Sequence, residues 1–146
     1  MLKMAHDFKT YPELTKKQMQ IYYFDSPHKQ IFEDFTAEVV GVHDGDTIRV
    51  KWRERDFTFP IRMVGIAAPE LDETGGDEAQ SWLENRILGK EVDVIINPDN
   101  RVEKWGRLLG TIQHGGQNVA EEEIMRGLAK TWEARKEGTI PNAFKL

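Results

Sequence analysis

A small set of charged residues, spread over three short stretches, has the side chains needed to cleave a phosphodiester. The set consists of Asp46, Arg62, Glu70 and Arg107. Hydrolysis of a phosphodiester requires positive charge on the nonbridging oxygens, a base for the attacking water and stabilisation of the leaving oxygen. Arginine suits the first task because its planar, permanently charged guanidinium matches phosphate with two hydrogen bonds. A carboxylate such as that of Asp46 is a suitable hard ligand for Ca²⁺ or Mg²⁺.

Each of these residues also has a simpler structural interpretation when taken alone. Asp44-Gly45, which lies between two alternating stretches, is first of all a turn, because glycine tolerates positive φ and aspartate bonds its own backbone. Arg62 could pack its stem and keep its charged head in solvent. Glu70 and Arg107 could be solvated surface charges. The combination, rather than any single residue, therefore indicates a phosphate-cleaving site.

The composition is that of one globular protein. The chain has 146 residues, of which 39% are hydrophobic and 31% are charged, enough for one compact core. It has no cysteine, which excludes disulfides and thiolate metal sites. No apolar run reaches membrane-spanning length, and the first residues lack the apolar core of a secretion signal. Either the chain stays inside the cell, which we favour, or it has lost a leader. We also expect a monomer that does not bind membranes.

The net charge argues against one class of nucleic-acid-binding protein. The formal charge is −5 at pH 7. A protein that coats DNA passively and tightly usually carries a basic field, because neutralisation of phosphates supplies its affinity. The positive charge of this chain must therefore be concentrated locally if the chain acts on nucleic acid.

The hydrophobic pattern predicts an N-terminal extension, residues 1–35, in front of a barrel domain, residues 36–146. Within the extension, Thr15 and Gln18 have the spacing of a capping box and predict a helix that runs through Phe24. We expect this helix to pack on the barrel through Met19 or Tyr22.

From residue 36 the pattern predicts a protein that is mainly β, with five strands and a helix between the third and fourth strands. That order is typical of an OB-fold barrel. Pro60 in the third strand favours an edge position or a bulge. The predicted strands cover residues 37–42, 48–53, 57–63, 91–96 and 104–113. Asp77 and Gln80 suit the start of one helix, which ends at Gly89. A second helix is predicted from Asn118 to Gly127. We interpret Glu121-Glu122-Glu123 as the solvated start of the second helix.

In its motifs the chain resembles the staphylococcal nuclease (thermonuclease) family. The resemblance extends over roughly residues 36–132. It is carried, in this order, by Asp44-Gly45-Asp46-Thr47, by Arg62 through Pro69-Glu70, by Glu78-Ala79, by Lys104-Trp105-Gly106-Arg107 and by Gly127-Leu128-Ala129-Lys130.

The resemblance implies a metal-dependent nuclease that acts on DNA and RNA without sequence specificity. By that resemblance Asp46 ligates Ca²⁺ and Glu70 is the general base. Arg62 and Arg107 clamp the phosphate, and Lys104 meets a neighbouring phosphate. The implied products carry 3′-phosphate and 5′-hydroxyl ends.

One departure from the family pattern concerns the metal directly. The second aspartate ligand of the family falls at Ala67, which cannot coordinate a cation. A Ca²⁺ site needs several oxygens, so the loss of one carboxylate predicts weaker binding. Asp72 or Glu73 could supply a replacement from the following loop, or waters could do so.

Two further departures concern the substrate pocket and the C-terminal end. The paired tyrosines that line the family's nucleotide pocket fall at Glu133 and Arg135. We expect the family's third helix to be absent, and the N-terminal extension could pack in its place. The four tryptophans, Trp132 among them, we interpret mainly as core or rim residues.

Two other functions stay open at this point. Nuclease-like domains that have lost catalytic residues serve as nucleic-acid or protein binding modules, and Ala67 would be such a loss. A plain OB-fold protein that binds single strands is the other possibility, which the acidic net charge disfavours. Asp46, Arg62, Glu70 and Arg107 together favour the enzyme, because a scaffold does not need all four.

Overall fold

The computed structural model describes residues 8, 10, 12–103 and 106–133. It contains three α-helices and eight strands within these ranges. In chain order they are α1 (Lys16–Tyr22), β1 (Phe35–Asp44), β2 (Thr47–Lys51), β3 (Thr58–Met63), β4 (Ile66–Ala67), α2 (Gly76–Ile87), β5 (Glu91–Ile95), β6 (Leu108–His114), β7 (Gln117–Asn118), α3 (Val119–Met125) and β8 (Lys130–Thr131). None of the helices in this part of the chain is long and apolar enough to span a membrane.

Five of the strands close into a barrel. β1, β2 and β3 form an antiparallel meander, β5 pairs with β1, and β6 pairs with β5. The parallel pairing of β6 with β3 closes the ring. Two register irregularities in β1 give the local bend that a strand needs at a barrel corner. The predicted five-stranded OB-fold barrel, with α2 between its third and fourth strands, is confirmed.

The barrel core follows from the alternation of apolar and polar residues. In β2, Ile48 and Val50 are buried, whereas Arg49 and Lys51 face solvent. Helix α2 covers one end of the barrel with residues spaced one turn apart, and all of these are fully buried: Ala79, Leu83 and Ile87. Pro60 occupies the part of β3 that precedes its pairing with β6, which agrees with the predicted edge position.

Two predicted boundaries are wrong. Helix α2 begins at Gly76 without a side-chain cap, preceded by Gly75 with φ of 87°, so Asp77 and Gln80 lie inside the helix and form no capping box. The amide of Gln80 instead donates to the carbonyl of Val42 at 3.1 Å. β6 begins at Leu108 rather than at position 104, and positions 104 and 105 lie outside the described residues.

The N-terminal segment is anchored to the barrel by a buried charge cluster rather than by α1. The helix begins with the predicted capping box, in which Thr15 N donates to Gln18 Oε1 at 3.0 Å, but it has no buried residue. Glu13, in contrast, is 0% exposed. Its carboxylate pairs with Arg55 and, at 2.9 Å, with Arg101. Met19 and Tyr22 are half-buried. The packing of the extension in place of a third helix and the division of the chain at residue 35 both stay predictions.

Removal of the Glu13 charge should destabilise the protein strongly. In Glu13→Gln the guanidinium groups of Arg55 and Arg101 stay buried without their counterion, and we expect a loss of about 3–5 kcal/mol in the free energy of unfolding. Urea unfolding followed by circular dichroism measures this change. The exposed Glu33→Gln is the matched control. A loss below about 1 kcal/mol would be typical of a surface ion pair and would contradict the anchoring role.

Candidate active site

Asp46 is fixed by hydrogen bonds from two segments of the chain. It lies directly after the β1–β2 turn, where its own amide donates to Asp44 Oδ1 at 3.1 Å. Its Oδ2 accepts a hydrogen bond from the amide of Ala68 at 3.0 Å, and its Oδ1 accepts one from the Thr47 hydroxyl at 3.1 Å. The residue is 6% exposed. The carboxylate is therefore held in one orientation at the edge of the barrel.

Arg62 approaches Asp46 from the adjacent strand. The pairing of β2 with β3 places Arg62 opposite Thr47, so its side chain lies beside the turn. Nη2 is 3.3 Å from Asp46 Oδ2, and Nη1 donates to the carbonyl of Met63 at 2.7 Å. The structure thus brings together two residues that are far apart in the sequence and were predicted to share one site.

Arg107 reaches the same place from the start of β6. Its Nη1 donates to Thr47 Oγ1 at 3.0 Å, while Glu103 holds the rest of the guanidinium through Nε and Nη2. Burial disfavours the charged form, but the hydrogen bond and the charge of Glu103 outweigh burial and raise the pKa of Arg107. Thr47 therefore connects Arg107 to Asp46. Its hydroxyl accepts a hydrogen bond from Arg107 and donates one to Asp46.

Glu70 is near this cluster in the sequence, but its side chain is exposed to solvent. It follows Ala68, whose amide binds Asp46, by two positions. Its backbone exchanges hydrogen bonds with Glu73, and α2 packs so closely that a Cβ at Gly76 would lie 2.0 Å from the Glu70 carbonyl oxygen. Its side chain is exposed and has no hydrogen-bond or ion-pair partner among the described residues. Its carboxylate is therefore exposed on the loop whose Ala68 amide binds Asp46.

The predicted roles of these residues stay predictions, although the geometry groups three of them. Asp46, Arg62 and Arg107 meet around Thr47, and Glu70 lies on the adjoining loop. Lys104, predicted to meet a neighbouring phosphate, lies outside the described residues.

Burial governs the charge on Asp46. Removal of the carboxylate from water raises its pKa to about 6, with the neighbouring Asp44 acting in the same direction and the guanidinium of Arg62 opposing both. The carboxylate is therefore mainly ionised at neutral pH and becomes protonated when the pH falls below about 6.

Glu123 is a buried acid, contrary to the expectation from the sequence. We expected a solvated position near the start of α3, but the residue is 0% exposed. Burial, followed by the charges of Asp46 and Asp44, raises its pKa to about 9, while Arg62 opposes them. Its spacing from Val119 and Ala120, which are buried on the same face, is the signal that could have revealed this.

A cavity of about 520 Å³ opens beside Arg62. Its lining includes Gly65, Trp132 and Glu133. The pairing of β4 with β8 brings Trp132 to this place, where its amide donates to the Gly65 carbonyl at 3.3 Å and the residue is 48% exposed. Trp132 is thus a rim residue, as expected, but one that shares a cavity with a predicted catalytic arginine. Arg135 lies outside the described residues.

The carboxylate oxygens near Asp46 are of the type that a hard divalent cation prefers, but their positions do not form a coordination site. Asp44, Asp46 and Glu123 all offer carboxylates, and both oxygens of Glu123 lack a hydrogen-bond partner among the described residues. Ala67 is buried and contributes no donor. As the side chains stand, no three acidic or histidine side chains in the described ranges are placed to hold a metal ion. Glu73, considered as a replacement ligand, instead accepts the Glu70 amide at 2.8 Å.

Comparisons with known proteins point in the same direction as the geometry. The sequence pattern of the family described as "Staphylococcal nuclease homologue" matches residues 60–144. The chain is 32% identical to "Micrococcal nuclease" from Shigella flexneri, over 75% of this chain and 64% of that protein. It is 29% identical to "Probable endonuclease LCL3" from Coccidioides posadasii, over 68% of this chain and 41% of that protein. The chain thus spans less than two thirds of the length of these relatives.

The buried acid should make the stability depend on pH. An unfolded glutamate has a pKa near 4.3, whereas burial raises the pKa of Glu123 to about 9. Between these values the folded state binds more protons, so the free energy of unfolding falls as the pH rises, by up to about 1.4 kcal/mol per pH unit. Glu123→Gln should abolish this contribution.

Urea unfolding with a chelator present, at about pH 6.5 and pH 8, measures the effect. Relative to the parent, the variant should gain about 2 kcal/mol over this interval. Parallel pH dependences in the two proteins would contradict the assignment of a buried, protonated Glu123.

Proposed function

The chain belongs to the family of staphylococcal nuclease homologues, and on that premise we propose that it hydrolyses phosphodiester bonds of DNA or RNA with the help of a divalent cation. One observation supports this most strongly. Two guanidinium groups converge on the Asp46–Thr47 pair, Arg62 at 3.3 Å from the Asp46 carboxylate and Arg107 at 3.0 Å from the Thr47 hydroxyl. Phosphate cleavage requires positive charge to stabilise the phosphate oxygens, and a carboxylate beside it can bind a divalent cation.

The two arginines would bind the nonbridging oxygens of the scissile phosphate. Each now has protein partners: Arg62 forms an ion pair with Asp46 and donates to the Met63 carbonyl, and Arg107 donates to Glu103. A phosphate would replace part of these contacts with charge-assisted hydrogen bonds of similar strength. Because the acceptors are already present, the guanidinium groups are oriented before substrate arrives. This preorganisation lowers the cost of stabilising the charge that develops on the phosphate.

Glu70 is the residue best placed to act as the general base. Its carboxylate is exposed and has no partner among the described residues, and its loop is tied to Asp46 through the amide of Ala68 at 3.0 Å. A base needs free acceptor oxygens within reach of water. The exposed carboxylate of Glu70 meets that requirement, whereas the buried carboxylates of Asp46 and Glu123 do not.

Asp46 would hold the cation, with Ca²⁺ the ion that its hard oxygens suit. When bound, a divalent cation polarises the phosphoryl oxygen and stabilises its charge. The contact between Asp46 and Arg62 means that the cation and the guanidinium compete for the same oxygen. Binding of a phosphate, which draws Arg62 away, would relieve this competition.

The cavity next to Arg62 is suited to a base that is not stacked in a duplex. Trp132 presents an exposed ring there, and stacking on an aromatic ring is tolerant of sequence. We therefore propose single-stranded or locally opened nucleic acid as the substrate. A monomer remains our expectation for the oligomeric state.

A nucleic-acid binding module without hydrolysis is the second candidate. It is favoured by Ala67, which provides no oxygen ligand, and by the ion pair that already occupies Asp46. The two candidates differ in one outcome, because only the first cleaves its ligand.

Cleavage of single-stranded DNA in the presence of Ca²⁺ should stop when a chelator is added. The variant Glu70→Gln should lower kcat by about 10²–10⁴-fold with little change in KM, because it lacks the general base. Steady-state kinetics on a fluorescently labelled oligonucleotide measure both effects. Glu78→Gln, an exposed change on α2, is the control. Binding of the oligonucleotide without cleavage by the parent protein would support the second candidate instead.

Trp132→Ala should raise KM for single-stranded DNA by about 5–100-fold and leave kcat nearly unchanged, because loss of one base–aromatic stack costs about 1–3 kcal/mol of binding. Trp132→Phe should restore most of the loss. If KM is the same in the alanine variant and the parent, the cavity beside Arg62 does not hold a base.

A further inference from the structure

We propose that Glu123 is a ligand of the divalent cation at Asp46 and replaces the carboxylate that is missing at Ala67. The inference deepens the proposed function, and it rests on that function only in assuming that a cation binds at Asp46. It assigns a role to a buried residue that the reaction described above does not use.

Glu123 lies directly behind the turn that carries Asp44 and Asp46. A Cβ at Gly45, between these two aspartates, would lie 3.1 Å from Glu123 Oε1. The same Cβ would also lie 2.6 Å from the Cβ of Ala68 and 2.8 Å from that of Ala79. The carboxylate of Glu123 therefore occupies space that exists only because position 45 has no side chain. Helix α3 thus brings a third acid to the turn from the side opposite to solvent.

The carboxylate of Glu123 differs from those of the other buried acids in the described ranges. Glu13 pairs with two arginines, and Asp44 and Asp46 accept backbone hydrogen bonds. Neither oxygen of Glu123 has a hydrogen-bond partner in the part of the chain that the structure describes. A buried polar group without a partner is costly. A cation at the turn would supply the missing partner.

The positive groups nearest to the turn already have other partners. Arg62 interacts with Asp46 and with the Met63 carbonyl, and Arg107 binds Thr47 and Glu103. A divalent cation at the turn would give the carboxylate of Glu123 the partner that these guanidinium groups do not provide. Because a metal ligand must be deprotonated, cation binding would release the proton that Glu123 otherwise holds.

Ala67, which offers no oxygen, and Glu123, which offers two oxygens without a hydrogen-bond partner, therefore have complementary properties. Ala67 and the adjacent Ala68 leave the β4 side of the turn without a carboxylate, and α3 supplies one from behind. Because no three acidic side chains in the described ranges converge on a common point, cation binding requires a rearrangement of these side chains. Glutamate has the rotatable bonds for that movement.

Calorimetric titration of the full chain with Ca²⁺ alone, without nucleic acid, tests the proposal. Glu123→Gln should weaken Ca²⁺ binding at least tenfold. Glu121→Gln, an exposed acid on the same helix, should bind Ca²⁺ as the parent does. Equal affinity of Glu123→Gln and the parent, or no Ca²⁺ binding by the parent, would overturn the proposal.

A rescue variant separates loss of a ligand from loss of the fold. Ala67→Asp combined with Glu123→Gln should recover Ca²⁺ affinity to within about threefold of the parent, since the site regains one carboxylate. Thermal unfolding should show an increase in Tm on addition of Ca²⁺ for the parent and the double variant but not for Glu123→Gln. Failure of the double variant to recover affinity would count against an exchange of ligands between the two positions.

These outcomes are independent of catalysis. A protein that binds Ca²⁺ through Glu123 but cleaves no nucleic acid would support this inference and overturn the proposed function. If the protein cleaves nucleic acid and Glu123→Gln has the same Ca²⁺ affinity as the parent, the proposed function would be supported and this inference overturned.

Discussion

The site depends on one buried carboxylate, that of Asp46, which links three parts of the barrel. Its side chain accepts the amide of Ala68, and its backbone carbonyl accepts the amide of Met63 at 2.8 Å. The β1–β2 turn, the end of β3 and the loop that carries Glu70 are therefore fixed relative to one another. Burial of this carboxylate disfavours its charged form and raises the pKa of Asp46 to about 6. Arg62 offsets part of that cost, and a cation would offset more.

The barrel closure determines which arginines meet this carboxylate. β3 and β6 run parallel, with Ile61 opposite Leu108 and Arg62 opposite Leu109. Arg107, immediately before β6, is thereby brought to the turn, where it donates to the Thr47 hydroxyl. The loop in front of β6 is in turn secured by Arg101, whose guanidinium binds the buried Glu13. Through Glu13, the N-terminal segment thus supports the residues in front of β6, among them Glu103, which orients Arg107.

Much of this arrangement could be predicted from the sequence because its determinants are local. Alternation in β2 and β3 gives the strands, and the Asp-Gly turn gives the position of Asp46. The environment of Glu123 could not be read from its neighbours, because three consecutive glutamates suggest a solvated helix start and only the face shared with Val119 argues otherwise. The anchoring role of Glu13 depends on Arg55 and Arg101, which are distant in the sequence. Contacts of that kind arise from the closed fold rather than from any pattern in the chain.

The central claim is that Arg62 and Arg107 bind one phosphate next to Asp46. A crystal structure of the protein with a nucleoside 3′,5′-bisphosphate and Ca²⁺ tests it most directly. The account predicts one phosphate group with oxygens within hydrogen-bond distance of both guanidinium groups, and a cation on the Asp46 carboxylate. A phosphate bound away from both arginines, with Arg62 still paired to Asp46 and Arg107 to Glu103, would contradict it.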